Sequence, residues 1–225
     1  MIMAFGPIMR VKAGELLVEL APLTKENVTQ FIENGGMQHA SVTKYLARTS
    51  APVNEDELEW FERTRTDKAS VIWGIYVIDG DERKLIGNTA LENITRKHIH
   101  QATSGSLIFD QSYWGKGIAS SIHKARTWYA FQYLGLHRIM SAVIQGNVGS
   151  LKALRKSGYE LVYVERNTVF VDGHLRHQDN LECLNPNEPF WSQWWRGERS
   201  SKKSQEAKKR TIDALSWAEK NVTLL

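Results

Sequence analysis

Residues 107–119 hold the clearest opportunity for chemistry in this chain. The apolar run Leu107, Ile108 and Phe109 leads into a turn containing Trp114, Gly115, Lys116 and Gly117, and Ile118 and Ala119 then open a long amphipathic segment. A strand that turns on glycine into a helix presents backbone N–H groups with no intrahelical acceptor, and the helix dipole adds partial positive charge at the same end. Gly115 and Gly117 lack side chains, Ala119 has a small one, and Lys116 supplies a charge. The chemistry suited to such a junction is capture of a phosphate or pyrophosphate. A tight strand-to-helix turn that binds nothing is the competing reading, since short glycine motifs recur without ligands.

The elements that must hold this turn follow from hydrophobic periodicity. A strand is expected over 15–20, then a helix capped by Thr24 and stopped at Gly35 and Gly36. Residues 37–53 read as loop. Asn54 with Glu57 has capping-box spacing and opens a helix to about residue 67. Strands follow over 71–78 and 84–91, joined at Asp79, Gly80 and Asp81, and then over 103–109. After the turn, Ile118, Ile122, Ala125, Tyr129 and Tyr133 recur at helical spacing, and Gly135 ends the helix. The run 136–144 is apolar on both faces, as in a central strand covered on two sides. Asn147 caps a short helix closed by Gly158. Strands over 159–164 and 168–171 lead to a turn at Asp172 and Gly173 and a return strand over 175–184.

Bulk properties narrow the classes. The 225 residues suit one domain with an appendage. Formal charge is +4, of which residues 186–225 carry +3, so the body is near neutral and the tail basic. The high pI therefore does not mark the whole fold as nucleic-acid binding. Cys183, the only cysteine, excludes an intrachain disulfide and fits a reducing compartment. Residues 1–10 have no basic start and no small-residue cleavage site, and no apolar run approaches the roughly 20 residues of a membrane span. A cytoplasmic location is expected. The seven histidines show no metal-ligand spacing, so no metal is expected.

The ordered set of pieces resembles the GNAT N-acetyltransferase superfamily, in its branch of ribosomal-protein N-terminal and spermidine acetyltransferases. Leu85, Ile86 and Gly87 are similar to that family's central hairpin strand, and residues 114–119 to its pyrophosphate loop. Residues 134–139 are similar to the run into its next strand. Asn147 and Ser150, followed by Gly158 and Tyr159, resemble its thiol-side helix, and residues 170–173 its last hairpin. The resemblance covers 15–184. It implies a mixed α/β (α+β) fold with a mostly antiparallel central sheet flanked by helices. It places the acetyltransferase domain in 1–185, with a Trp-rich, basic, helical extension in 186–225.

The same resemblance implies acetyl-coenzyme A as cosubstrate. Its pyrophosphate would be held by the amides of Gly115, Lys116, Gly117, Ile118 and Ala119, beside Trp114. Its pantetheine arm would pair along Leu107, Ile108 and Phe109, and Asn147 would bond the arm near the thiol. An acetyl group would then pass to a primary amine (a peptide N-terminus, a lysine or a small amine) by direct transfer in a ternary complex. The amine must be neutral to attack, and the developing oxyanion needs a donor. The resemblance puts that donor on the amide of Phe109 or Asp110. Leu154 stands where relatives often place a tyrosine acid, so the acid role passes to Ser150, which also reads as a first-turn serine satisfying the backbone. Glu92 is the first candidate base, with His98, His100 and Asp110 behind it. The early helices carry Glu26, Glu33, Glu55, Asp56, Glu57, Glu59 and Glu62, either an acidic lip for a cationic amine or an ordinary solvated face.

The tail supports a second reading. Trp191, Trp194 and Trp195 share one helix face and must pack on the body or on a second copy, which would make a homodimer. Residues 196–210 carry a net +5 and read as a solvated linker, or else as a contact to nucleic acid or an acidic protein; a helix carrying Ile212, Leu215 and Val222 follows. A nucleic-acid-associated protein on the same scaffold is thus the alternative function.

Overall fold

The computed structural model describes residues 4–33, 36–46, 50–187 and 190–225. Among them, nine strands form one sheet: β1 (Met9–Ala13), β2 (Leu16–Ala21), β3 (Val71–Asp79), β4 (Glu82–Thr95), β5 (Gln101–Ile108), β6 (Arg138–Ile144), β7 (Glu160–Val171), β8 (His174–Leu184) and β9 (Val222–Leu224). Their order is β7-β8-β6-β5-β4-β3-β2-β1-β9. Every neighbouring pair is antiparallel except β5 with β6, which is parallel. The helices are α1 (Lys25–Glu33), α2 (Ala40–Thr43), α3 (Asn54–Thr66), α4 (Ile118–Gln132), α5 (Val148–Lys156), α6 (Phe190–Trp195) and α7 (Lys202–Asn221).

Alternation along the strands feeds two cores. On one face, Val18, Leu20, Trp73, Ile75 and Leu91 pack with Ile118, Ile122 and Ala125 of α4 and Leu215 of α7. On the other, Tyr76, Leu85, Ala90 and Phe109 pack with Val28 and Phe31 of α1 and Phe61 of α3. The strand β6 is not covered on both faces as its apolar run suggested: Ile139, Val143 and Ile144 are buried, Met140 and Ser141 are half-buried and Ala142 is exposed.

Several local expectations change. Residues 37–53 are not simply loop: α2 lies there between single 3-10 turns at Gly36–Gln38 and Lys44–Leu46. The stop at Gly35 lies outside the described residues. Asn54 is the first residue of α3 rather than its cap, and the Asp56 carboxylate accepts from the Val53 N–H (2.9 Å). The expected strands over 159–164 and 168–171 are one strand, β7. Two strands were not expected: β1, whose Met9, Val11 and Ala13 alternate with Arg10 and Lys12, and the three-residue β9.

The tail returns to the sheet. From Lys202 the basic stretch is helical rather than a solvated linker, with the Ser201 hydroxyl accepting from the Ser204 N–H (3.1 Å). The α7 face that packs inward is Ala207, Thr211, Ala214, Leu215 and Ala218, while Ile212 is exposed. Beyond it, β9 pairs with β1 and extends the sheet. The indoles of the tail pack on the chain's own body: Trp191 is buried, Trp191 and Trp195 lie 5.7 Å apart, and the Arg138 guanidinium sits 5.3 Å from the Trp194 ring.

Candidate active site

The site begins where β5 and β6 part. They pair over three positions only, Gln101 with Arg138, Ala102 with Ile139 and Thr103 with Met140. Beyond Thr103, β5 runs on along β4 from Ser104 to Ile108, while β6 turns to β8 on its far side. A wedge opens between them, and one edge of β5 is left without a strand partner. Hydrogen-bonding direction alternates along a strand. The Phe109 N–H donates to the Ile86 carbonyl (2.9 Å), so odd-numbered residues face β4; the His100 carbonyl accepts from His137, so even-numbered residues face β6. The free edge therefore carries the amides of Ser106 and Ile108.

This corrects two expectations. Leu107 and Phe109 cannot offer backbone bonds to an added strand, because their polar groups face β4. Phe109 and Asp110 are not free oxyanion donors either, since both amides point to the Ile86 carbonyl (2.9 and 3.4 Å). The amides of Ser106 and Ile108 are the ones directed into the wedge.

The glycine turn stands at the mouth of this wedge. Gly115 (φ +77°) and Gly117 (φ +83°) both adopt left-handed backbone, and nothing lies within 4 Å of where a Cβ would sit on either. Gly117 caps α4, whose first internal hydrogen bond is Ser121 N–H to the Gly117 carbonyl (3.1 Å). Among the described residues the amides of Gly115, Lys116, Gly117, Ile118 and Ala119 have no backbone acceptor. Trp114 is half exposed, and its indole N–H donates to the Ile108 carbonyl (2.9 Å), fastening the turn to the end of β5. A cradle of unpaired amides with open space before it fits a pyrophosphate.

Opposite β5, the turn from β6 into α5 presents Asn147 and Ser150. The Asn147 side chain accepts from the Ser150 N–H (3.2 Å), so Asn147 does cap this helix. Leu154 is fully buried. The segment holding α2 roofs the wedge: Gln111 donates to the Ser41 hydroxyl (2.8 Å), Lys44 pairs with Asp172 (3.5 Å), and the Tyr45 hydroxyl lies 3.0 Å from where a Cβ on Gly146 would be. Tyr45 was not picked out from the sequence; its approach to Gly146 joins residues about 100 apart in the chain.

Comparison with known proteins gives this geometry a family. Residues 18–160 match the family model described as an acetyltransferase (GNAT) domain. The chain belongs to the GNAT acetyltransferase family. It is 32% identical over 130 residues to the probable N-acetyltransferase YjcK of Bacillus subtilis, covering 58% of this chain and 70% of that protein. Its fold is similar to that of Mycobacterium smegmatis RimJ in complex with CoA-disulfide (TM-score 0.69, 18% identity, all of both chains). It is also similar to that of spermidine N-acetyltransferase from Vibrio cholerae in complex with CoA and spermine (TM-score 0.64, 21% identity, 74% of this chain and 95% of that one).

Within this GNAT domain the candidate acid and base stand apart. Glu92 pairs with Thr103 at the closed end of the wedge, on the α1/α3 face shared with Ala90, with its carboxylate over Gly105. Ser150 lies past the end of β6, and that end is itself roughly 13 Å beyond the Thr103–Met140 pair at about 3.3 Å per strand residue. Desolvation, then the charge of Asp67, raises the Glu92 carboxyl above its ordinary value, which makes it a better proton acceptor near neutrality. Asp110 is unsuited to that role. Although desolvation raises its carboxyl, hydrogen bonds from Lys84 and Ser112 hold it below the usual value. His98 is solvent-facing, and His100 stacks on His137 behind the closed end (4.6 Å). Three of the seven acids of the early helices are engaged, since Asp56 caps α3, Glu57 is buried and Glu62 pairs with Arg65, while Glu33, Glu55 and Glu59 are exposed.

Cys183 is fully buried on β8, with its thiol pushed up to about 12, chiefly by desolvation. It has no path to a covalent acyl intermediate. Cys183→Ala is expected to retain turnover within about threefold, and iodoacetamide should leave the native protein unlabelled; acyl transfer lost with Cys183 would contradict this.

Proposed function

We propose that this chain binds acetyl-coenzyme A in the wedge and transfers the acetyl group directly to a primary amine. The observation that carries the reading is the parting of β5 from β6 after three pairs, with the unpaired amides of 115–119 at the mouth. One feature supplies an edge for an amide-containing arm, and the other supplies donors for a diphosphate. The pyrophosphate would take N–H bonds from Gly115, Lys116, Gly117, Ile118 and Ala119. The arm would lie along Ser106 and Ile108, with Asn147 facing it across the wedge.

The neutral amine attacks the thioester carbonyl, the C–S bond breaks, and the amine proton leaves to Glu92 or through water. Whichever of the Ser106 and Ile108 amides the arm leaves unpaired is the donor suited to the developing oxyanion. Holding both reactants in one cleft can supply about 7–11 kcal/mol, so one acid–base group need not dominate. Ser150 remains the candidate proton donor at the thiol end. Ser150→Ala should lower kcat about tenfold or more with CoA affinity unchanged; a normal kcat would remove that role.

The acceptor is proposed as a cationic small amine or a peptide N-terminus, in keeping with the substrates named for the similar proteins. Calorimetry with CoA, followed by acetylation of a panel of polyamines, lysine and alanine-starting peptides, tests the whole reading; absence of CoA binding would overturn it. The alternative nucleic-acid role would have to use the exposed Arg196, Arg199, Lys202 and Lys209, since three other basic residues of the tail are engaged. Lys203 donates to the Leu161 carbonyl, Arg210 to the Arg155 carbonyl (3.1 Å), and Lys208 lies over Trp191 (4.5 Å).

A further inference from the structure

Arg126, on the third turn of α4, is fully buried. Its Nη1 donates to the Thr89 hydroxyl (2.7 Å), the Gly105 carbonyl (2.7 Å) and the Ser106 hydroxyl (2.8 Å). Its Nη2 lies 2.7 Å from His123 Nδ1, and its Nε has no partner. Among the described residues no carboxylate lies within ion-pair distance of it. The groups that could titrate around it bring no negative charge. His123 is kept neutral by desolvation and by Arg126 itself; the Tyr159 phenol and Cys183 thiol are raised by burial. Glu92, which senses the guanidinium, is on the opposite sheet face.

A buried cation without a counter-charge is costly, and a hydroxyl clip between β4 and β5 does not need one. What the position offers is proximity. Arg126 touches Ser106, the residue at the centre of the free edge, from below. Leu154 leaves the thiol side without a tyrosine proton donor, and the Ser150 hydroxyl, an aliphatic alcohol, is a weaker acid than a phenol, so a nearby cation would help the sulfur carry its negative charge as it departs.

Resting on the acetyl-CoA reading above, we propose that Arg126 is a positioning residue whose unpaired charge stabilises the thiolate of coenzyme A in the wedge. When the amine has attacked and the C–S bond breaks, the electron pair goes to sulfur and the amine proton goes to Glu92 or water; the thiolate forms beside the Arg126 charge and then takes its proton from Ser150 or water. A cation nearby favours the charged form of a thiol and lowers its pKa.

The test is calorimetric and needs no turnover. CoA and desulfo-CoA, which lacks the thiol, are titrated into the wild-type protein between about pH 7 and about pH 10, across the usual thiol range near 8.5. CoA should tighten relative to desulfo-CoA by about tenfold as pH rises, which corresponds to a bound thiol about one unit lower than the free one. Arg126→Met should flatten that rise, with CoA affinity near pH 7 within threefold and kcat down about tenfold; Arg126→Lys should keep the rise. A flat wild-type ratio overturns the proposal even if no variant folds, and so does a rise that survives Arg126→Met. If neither ligand binds at all, the acetyl-CoA reading itself has failed.

Discussion

Gly117→Val is expected to weaken CoA binding at least 100-fold while the protein stays folded. The residue adopts φ +83° at the cap of α4. Left-handed backbone costs a side-chain-bearing residue roughly 1–2 kcal/mol, more when it is β-branched. No protein atom lies within 4 Å of the added Cβ, so the fold does not collide with the new side chain. The isopropyl group instead fills the space through which a diphosphate would reach the amides of 115–119. Hydrogen bonds to a charged group contribute about 1.5–3 kcal/mol each. Losing two of them exceeds the roughly 2.7 kcal/mol that a 100-fold change represents. Gly80→Val is the matched control: φ is +58° and the Cβ position is open, but the turn joins β3 to β4 away from the wedge. It should show similar strain and unchanged CoA affinity. Undiminished affinity in Gly117→Val would remove the amide cradle from the proposed site.

What could be read from sequence was whatever depends on local spacing. The glycine turn was legible because residues 107–119 read locally as an apolar strand, a glycine-containing turn and the start of a helix. The α4 stripe was legible at Ile118, Ile122 and Ala125, all buried, but not at its far end, where Tyr129 is half-buried and Tyr133, past the last helical residue, is exposed. Arg126 lies one turn beyond Ile122, inside the same buried arc, but an arginine in a helical pattern reads as solvent-facing. Its acceptors come from Thr89, Gly105 and Ser106, up to 37 residues away. The error over Phe109 and Asp110 has a similar origin. Which β5 amides face the wedge is set by pairing with Ile86, where the β3–β4 register shifts between Ile75 and Tyr76. A run of apolar residues does not encode that parity. The strand β1, by contrast, alternates cleanly and was available to a period-two reading.

Gly158→Val should cost the fold about 2–5 kcal/mol, whereas Gly149→Ala, nine residues earlier, should stabilise it. Gly158 closes α5 at φ +93°, and a Cβ there would lie 1.9 Å from the Thr211 hydroxyl and 2.8 Å from the Thr211 Cα. The left-handed backbone contributes about 1–2 kcal/mol and the overpacking about 1–3. Because the Thr211 Cα is backbone, relief requires α7 to move away from α5, which loosens Ala207, Ala214 and Leu215 and, at the chain's end, the pairing of β9 with β1. Gly149 sits in the first turn of α5 with open space around its Cβ position, so alanine gains up to about 1 kcal/mol of helix propensity. Urea unfolding followed by circular dichroism reads both changes from the midpoint at constant slope. If Gly158→Val unfolds at the wild-type midpoint, α7 is only loosely attached. A lowered midpoint shows that residues 202–224 are part of the cooperative unit that holds β5, β6 and α4 around the wedge.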